Sequence, residues 1–291
     1  MKIIRTLPEK LKEIYSAPKQ LYYKGDETIM GKASIAVVGT RKYSDYGAYL
    51  TEKIISELAI FDIAIISGLA KGIDTIAHKA ALKNKLPTIA VLGSGFMDIY
   101  PKENEKLAEE IAQKGLLLSE YSPESPPNKF HFPERNRIVA GLSDAVLVIE
   151  APVKSGALIT AKLALEQGKD IFVTPGDIDR RNSSGILQLL QKGGAYPIGS
   201  GSDIIEVLSL PKKKLPQLSL FMSTLPKLNI DENEQRIIEF LSSTRAKPLE
   251  LIQRKIQMET QQLQIVLSML EVKGLIKLEE GNYLLSKTYI N

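Results

Sequence analysis

The chain contains no cysteine and only two histidines, His78 and His131, among 291 residues. The first absence excludes disulfides and every site built on a thiolate, and two imidazoles leave little for a zinc centre. No stretch reaches the roughly 18 uncharged apolar residues of a membrane span, and the opening segment MKIIRTLPEKLKEI is charged every few residues. A cytosolic location without a membrane partner is expected. The Walker sequence G-x-x-x-x-G-K-[ST] is also missing, which excludes nucleoside triphosphate hydrolysis by a P-loop. No catalytic residue, metal or cofactor is expected.

What is present is apolar material, 44% of the residues, enough for one sizeable α/β domain and a smaller companion. A net charge of +4 permits nucleic-acid binding without demanding it. Residues 1–32 read as a short preface with one helical pattern, Leu7, Leu11, Ile14 and Tyr15. From Ile35 seven apolar runs alternate with helical patterns, which predicts a doubly wound parallel sheet over 33–210. The proline-rich stretch 211–228 reads as a linker. Three helical patterns and a Glu-Gly-Asn hairpin over 229–291 predict a winged helix, with Asn229 or Asp231 as its first cap.

The chain is organised around Lys129 to Gly176. There AVLVIE and DIFVTPG are continuous apolar runs separated by an amphipathic helix, a βαβ unit whose ligand site lies outside the carboxyl ends of its strands. Just upstream Lys129, Phe130, His131, Phe132, Arg135, Asn136 and Arg137 crowd cations, rings and an amide together. Single-stranded nucleic acid offers both the phosphates and the stackable bases that such a cluster suits. One of Phe130 and Phe132 is expected in the core.

Strand-end turns supply further anion-binding candidates. VVGTRKYSDYG places Gly39 and Thr40 before the guanidinium of Arg41. ISGLAKGIDTIAH sets Ser67, Gly68 and Gly72 at a helix amino terminus, with Asp74 and His78 one turn apart as supports of the turn; it lacks the G-x-G-x-x-G of dinucleotide sites. LGSGFMDIYPKEN is weaker. Lys154, Ser155 and Gly156 open another helix, with Thr160 capping it or lining a pocket. Over 229–291, eight cations oppose nine carboxylates, a net charge near −1, with Leu263, Val266, Leu267 and Leu270 inward and Gln261, Gln264 and Ser268 outward. That favours a protein contact over duplex DNA.

These blocks, with LLLSEYSP, FHFPERNRIVAGLSDAVLVIEAPVKSGALITAKLALEQGKDIFVTPGDI and GILQLLQKGGAYPI, together resemble the DNA-processing protein A (DprA, Smf) family over about residues 8 to 210. The resemblance implies an extended Rossmann-like domain that binds single-stranded DNA, dimerises, and loads the RecA recombinase onto DNA taken up in natural transformation. It also implies that Arg41 is the family's turn arginine and that Lys129, Phe132, Arg135 and Asn136 fall in its DNA pocket. The amino-terminal helical domain common in the family is expected to be absent or vestigial. A rival comes from the lysine-decarboxylase-like nucleoside-monophosphate phosphoribohydrolases, whose P-G-G-x-G-T-x-x-E turn resembles SGALITAKL. With Thr160 aligned on that threonine, Leu163 stands where the acid is needed. A nucleotide-sensing module is a third reading.

Overall fold

The computed structural model describes residues 2–210, 231–241, 247–279 and 281–285. The expected linker 211–228 and the candidate cap Asn229 lie outside the described residues. Two units are distinguished, Met1–Lys213 and Lys214–Asn291. In chain order the first holds β1 (Lys2–Ile4), α1 (Glu9–Lys12), β2 (Leu21–Gly25), β3 (Ala33–Val38), α2 (Asp45–Glu57), β4 (Ile63–Ser67), α3 (Ile73–Lys83), β5 (Thr88–Leu92) and α4 (Glu105–Lys114). It continues with β6 (Leu116–Ser119), α5 (His131–Leu142), β7 (Ala145–Val148), α6 (Gly156–Glu166), β8 (Asp170–Val173), α7 (Ser184–Gln191), β9 (Tyr196–Pro197) and α8 (Gly201–Leu208).

The strands form one sheet in the order β1-β2-β6-β5-β4-β3-β7-β8-β9. From β3 to β9 neighbouring strands are parallel; β3 to β8 are buried on both faces and joined through helices, while the two-residue β9 closes the edge with both residues exposed. Alternation assigns the two faces. Ile35, Val37, Ile63 and Ile65 pack with α2, α3 and α8, while Ala36, Val38, Ala64 and Ile66 pack with α1, α5, α6 and α7. From β3 the chain winds outward through β4, β5 and β6, then returns to lay β7 on the other side of β3. That reversal opens a crevice beyond the carboxyl ends of β3 and β7.

Two expectations need correction. Residues 1–32 are no preface: β1 pairs with β2, β2 pairs antiparallel with β6, and Leu11, Ile14 and Leu21 are buried in the main core. A three-residue strand, a one-turn helix and a five-residue strand are too short to show a period. The second is α5, where only a cluster of cations and rings was expected. Pro133 falls in the first turn, where its missing N–H costs nothing, and Ile138, Val139 and Leu142 then bury a helical face. Lys169 closes the other end by donating to the carbonyls of Ala140 (3.0 Å), Gly141 (2.7 Å) and Ser143. Burial holds its amine down at about 8.

The second unit contains α9 (Glu232–Leu241), β10 (Lys247–Pro248), α10 (Leu249–Ile256), α11 (Thr260–Val272), β11 (Ile276–Glu279) and β12 (Asn282–Leu285), its strands ordered β10-β12-β11 and antiparallel. Asp231 caps α9, accepting from the amides of Asn233 and Glu234 (both 2.8 Å), and the Glu234 carboxylate in turn accepts from Asp231 N at 3.0 Å. Glu234 is also paired with Lys273 at 2.6 Å. Leu263, Leu267 and Leu270 enter the core, and Gln261, Gln264 and Ser268 face outward.

If the amino-terminal segment belongs to the core, Leu11→Ala should destabilise the protein by about 2–5 kcal/mol, the cost of a large-to-small change at a fully buried site. Urea unfolding followed by circular dichroism measures it. A loss below about 0.5 kcal/mol would restore the reading of a dispensable preface.

Candidate functional site

A cleft of about 690 Å³ opens at the switch point, between the turns after β3, β4 and β7 and the amino-terminal turns of α5 and α6. Eleven of the fourteen residues expected at a site line it: Gly39, Thr40, Arg41, Gly68, Lys129, Phe132, Arg135, Asn136, Ser155, Gly156 and Thr160. Ser67, Gly72 and Arg137 do not.

Helix geometry explains Arg137. Residues advance about 100° per position, so Arg135 and Arg137 leave α5 on nearly opposite sides. Arg135 enters the cleft floor, while Arg137 turns away to a forked pair with Glu120, at 2.7 and 2.6 Å. Ser67 is wholly buried and donates to the Val37 carbonyl at 2.7 Å, so its hydroxyl ties β4 to β3. Gly72 caps α3 with φ at +87°, a conformation open to glycine, and the first amide of that helix meets Thr40 O at 3.3 Å. The expected anion position there is filled by the chain's own carbonyl. Neither phenylalanine is in the core, contrary to expectation: Phe130 is 69% exposed, and Phe132 is half-buried over the backbone of Gly93.

The floor is cationic but committed. Arg135, only 4% exposed, donates through Nη1 to Gly68 O at 2.6 Å and to Val91 O, joining the carboxyl ends of β4 and β5. Its guanidinium lies against Gly68 so closely that any Cβ there would collide with it. Asp74 sits beneath, accepting from the amides of Gly68 (3.1 Å) and Ala70 (3.4 Å). Burial pushes the Asp74 carboxyl up, and the nearby Arg135 opposes that rise. Burial also holds the Arg135 guanidinium down at about 10, still charged at neutral pH. Asn136 Oδ1 accepts from Arg135 Nε at 3.2 Å, which fixes the amide so that its NH₂ is left for a ligand.

The rim is cationic and free of ion pairs, although the Lys129 ammonium lies over the Phe130 ring at 5.0 Å. Arg41, Lys129 and Lys154 are exposed and make no ion pair among the described residues. Between them Phe132 meets Tyr100, with ring centroids 5.4 Å apart and planes tilted by 48°. At α6, Ser155 Oγ takes the Ala157 amide (3.2 Å) and Ser155 O takes that of Leu158 (3.1 Å), which leaves the Gly156 N–H for an anion. Sequence reasoning missed Tyr100 as a site residue, although it lies in the third glycine-rich turn; only the fold brings that turn to Phe132. Among the described residues no group of three or more His, Asp or Glu side chains is placed to hold a metal ion.

Fold and cleft thus define an α/β protein with a cationic, ring-bearing cleft at the switch point of a mostly parallel sheet. The profile of the DNA recombination-mediator protein A family matches residues 4–209, and the chain belongs to that family. It is 48% identical over 198 residues to the DNA processing protein DprA of Streptococcus pneumoniae, covering 68% of this chain and 70% of that one. To the protein of the same name from Bacillus subtilis it is 45% identical over 199 residues, covering 68% and 67%. The solved Streptococcus pneumoniae structure superposes with a TM-score of 0.68 at 46% identity, over 70% of this chain and 73% of that one. A Helicobacter pylori DNA processing protein A structure, described for its single-stranded DNA binding mode, gives 0.67 at 35% identity, over 72% and 95%.

His78, on α3 behind the cleft, generates a pH prediction. The Thr88 hydroxyl gives its proton to Ile65 O (2.8 Å), so His78 Nδ1–H is the donor in the 2.8 Å contact with Thr88 Oγ1. Burial, helped by the Arg135 charge, holds the imidazole down at about 3 against an ordinary 6.5. Between these values the unfolded chain carries a proton that the folded one rejects, so the His78 contribution to stability is complete above pH 6.5 and is lost as pH drops toward 3. Replacing His78 by Leu should lower the slope of unfolding free energy against pH by about 1.4 kcal/mol per unit in mid-window. Chemical denaturation at a series of pH values reads it, and an unchanged slope would show that His78 is not held neutral.

Proposed function

We propose that this recombination mediator binds single-stranded DNA in the switch-point cleft, protects incoming strands and loads RecA recombinase onto them during natural transformation. The observation that carries the reading is the division of labour in the cleft. Arg41, Lys129 and Lys154 stand at the rim without a carboxylate partner among the described residues, open to phosphates, and Phe132 with Tyr100 offers faces for bases. Asn136 and the Gly156 amide add donors, but few groups face outward to read base edges, so sequence preference should be slight. The single-stranded DNA binding described for the Helicobacter pylori relative supports the same ligand class.

No catalytic role, metal or cofactor is part of this reading. Leu163, which occupies the acid's position in the phosphoribohydrolase comparison, packs against the core. We place the protein in the cytoplasm as a homodimer joined through its Rossmann-like domain; no helix among the described residues is long and apolar enough to cross a membrane. The second unit, outside the family match, is read as a winged helix that contacts protein. Its α11 turns Ile265, Met269 and Val272 outward beside the glutamines, an apolar ridge ill suited to phosphates.

Two measurements test this. Arg41→Ala with Lys154→Ala should weaken binding to a fluorescent oligonucleotide and reduce the slope of log affinity against log salt by roughly 0.7 for each lost phosphate contact. Parental affinity and slope in the double variant would remove the cleft from consideration. Truncation after about Leu208 should leave oligonucleotide affinity within a few-fold. A collapse of binding in the truncated, folded protein would return a DNA role to the second unit.

A further inference from the structure

Beyond the first cleft, the same sheet edge carries a row of exposed tyrosines that the proposed function does not use. Tyr43, Tyr46 and Tyr49 are 47%, 51% and 58% exposed, high values for three rings so close in sequence. Tyr43 precedes α2, which Ser44 caps by accepting from the Gly47 amide at 3.1 Å, and Tyr46 and Tyr49 follow at helical spacing on one face. Beside them lies a second cleft of about 470 Å³ lined by Tyr46, Leu50, Glu150, Asp177, Arg180 and Asn182.

The two clefts share a wall. Thr40 N donates to Glu150 O at 2.7 Å and Asn182 Nδ2 to Lys42 O at 3.0 Å, so the turn carrying Arg41 and Lys42 is pinned between them. Lys42 and Arg181 are exposed and without an ion pair among the described residues. Of the carboxylates nearby, Glu150 is engaged by Ser44 N (2.9 Å) and Asn182 (3.0 Å) and Asp177 by Arg180 at 2.6 Å, while Asp179 is exposed beside Arg180. Asp45 and Glu52 fall together on the Tyr49 flank of α2, which leaves the Tyr46 flank, with Lys42 and Arg181 nearby, for a polyanion.

We infer that a DNA strand held in the first cleft continues over Arg41 and Lys42 and stacks its bases on Tyr43, Tyr46 and Tyr49, giving the protein a second, length-dependent single-strand contact. The inference rests on the proposed use of the first cleft. Three exposed rings flanked by free cations are the two ingredients of sequence-tolerant single-strand binding, and their continuity with Arg41 sets the strand's direction of exit.

The full chain distinguishes the two readings with thymidine oligonucleotides of two lengths, one of about six nucleotides to fill the first cleft alone and one of about twenty to reach past it. The triple variant Tyr43→Ala, Tyr46→Ala, Tyr49→Ala should lose roughly tenfold or more in affinity for the longer strand and keep parental affinity for the shorter. The matching triple change to Phe should retain both. Because the chain has no tryptophan, tyrosine emission is directly visible, and the longer strand should quench it in the parent more than in the alanine variant. Parental affinity of the alanine variant for the longer strand, with Arg41→Ala weakening both lengths, overturns the tyrosine track and leaves the first cleft standing. Indifference of both lengths to Arg41→Ala and Lys154→Ala overturns the cleft and the track with it. Altered sedimentation of the alanine variant with unchanged affinity for the longer strand would mark the tyrosines as a protein contact and also refute the proposal.

Discussion

The cleft depends on one buried cation. Taking a guanidinium out of water costs several kcal/mol unless its donors are met, and Arg135 meets this by giving Nη1 to two strand-end carbonyls and Nε to Asn136. Much of the local sequence follows from that arrangement. Gly68 must lack a side chain because the guanidinium occupies its Cβ position. Asp74 must lie beneath as the nearby opposite charge, and it holds the same turn through the Gly68 and Ala70 amides. Arg135 therefore works chiefly through what it positions: the β4 turn, the Asn136 amide and the helix that carries Phe132.

The committed floor and the free rim divide the electrostatic work. A cation already bonded to protein carbonyls adds a steady positive field to the cleft but exchanges few counterions when a ligand arrives. Unpaired rim cations exchange them, so they set the salt dependence. Aromatic faces are placed by the same economy of backbone. Gly93 lacks a Cβ, which would lie 2.6 Å from Phe132 Cδ1, and the ring settles over the strand end toward Tyr100.

The parallel strands were legible in the sequence because continuous apolar runs between helical patterns have few other solutions. The membership of most of the cleft lining was legible for the same reason: residues just beyond strand ends share that edge whatever their side chains. Orientation was not legible where a helix went unrecognised. Without α5, Arg135 and Arg137 looked equivalent, and only the 100° step separates a cleft floor from an ion pair with Glu120. Strands β1 and β2 are not legible because they join the sheet through tertiary pairing, β2 on β6 and β1 on β2, which local periodicity does not record.

The second unit shows what burial pattern adds to charge counting. A net charge near −1 spoke against a phosphate surface, but it left open what the outward face of α11 would offer. The fold places Leu263, Leu267 and Leu270 inside and, one step round the helix, exposes Ile265, Met269 and Val272. Methionine and branched aliphatic side chains on a solvent face gain nothing in water and much against another apolar surface. Lys273, the cation at the end of that ridge, is drawn back to the buried Glu234 at 2.6 Å. Its charge thus helps fix α11 to α9 and is largely withdrawn from the outward face, which makes that face still less suited to a nucleic-acid backbone.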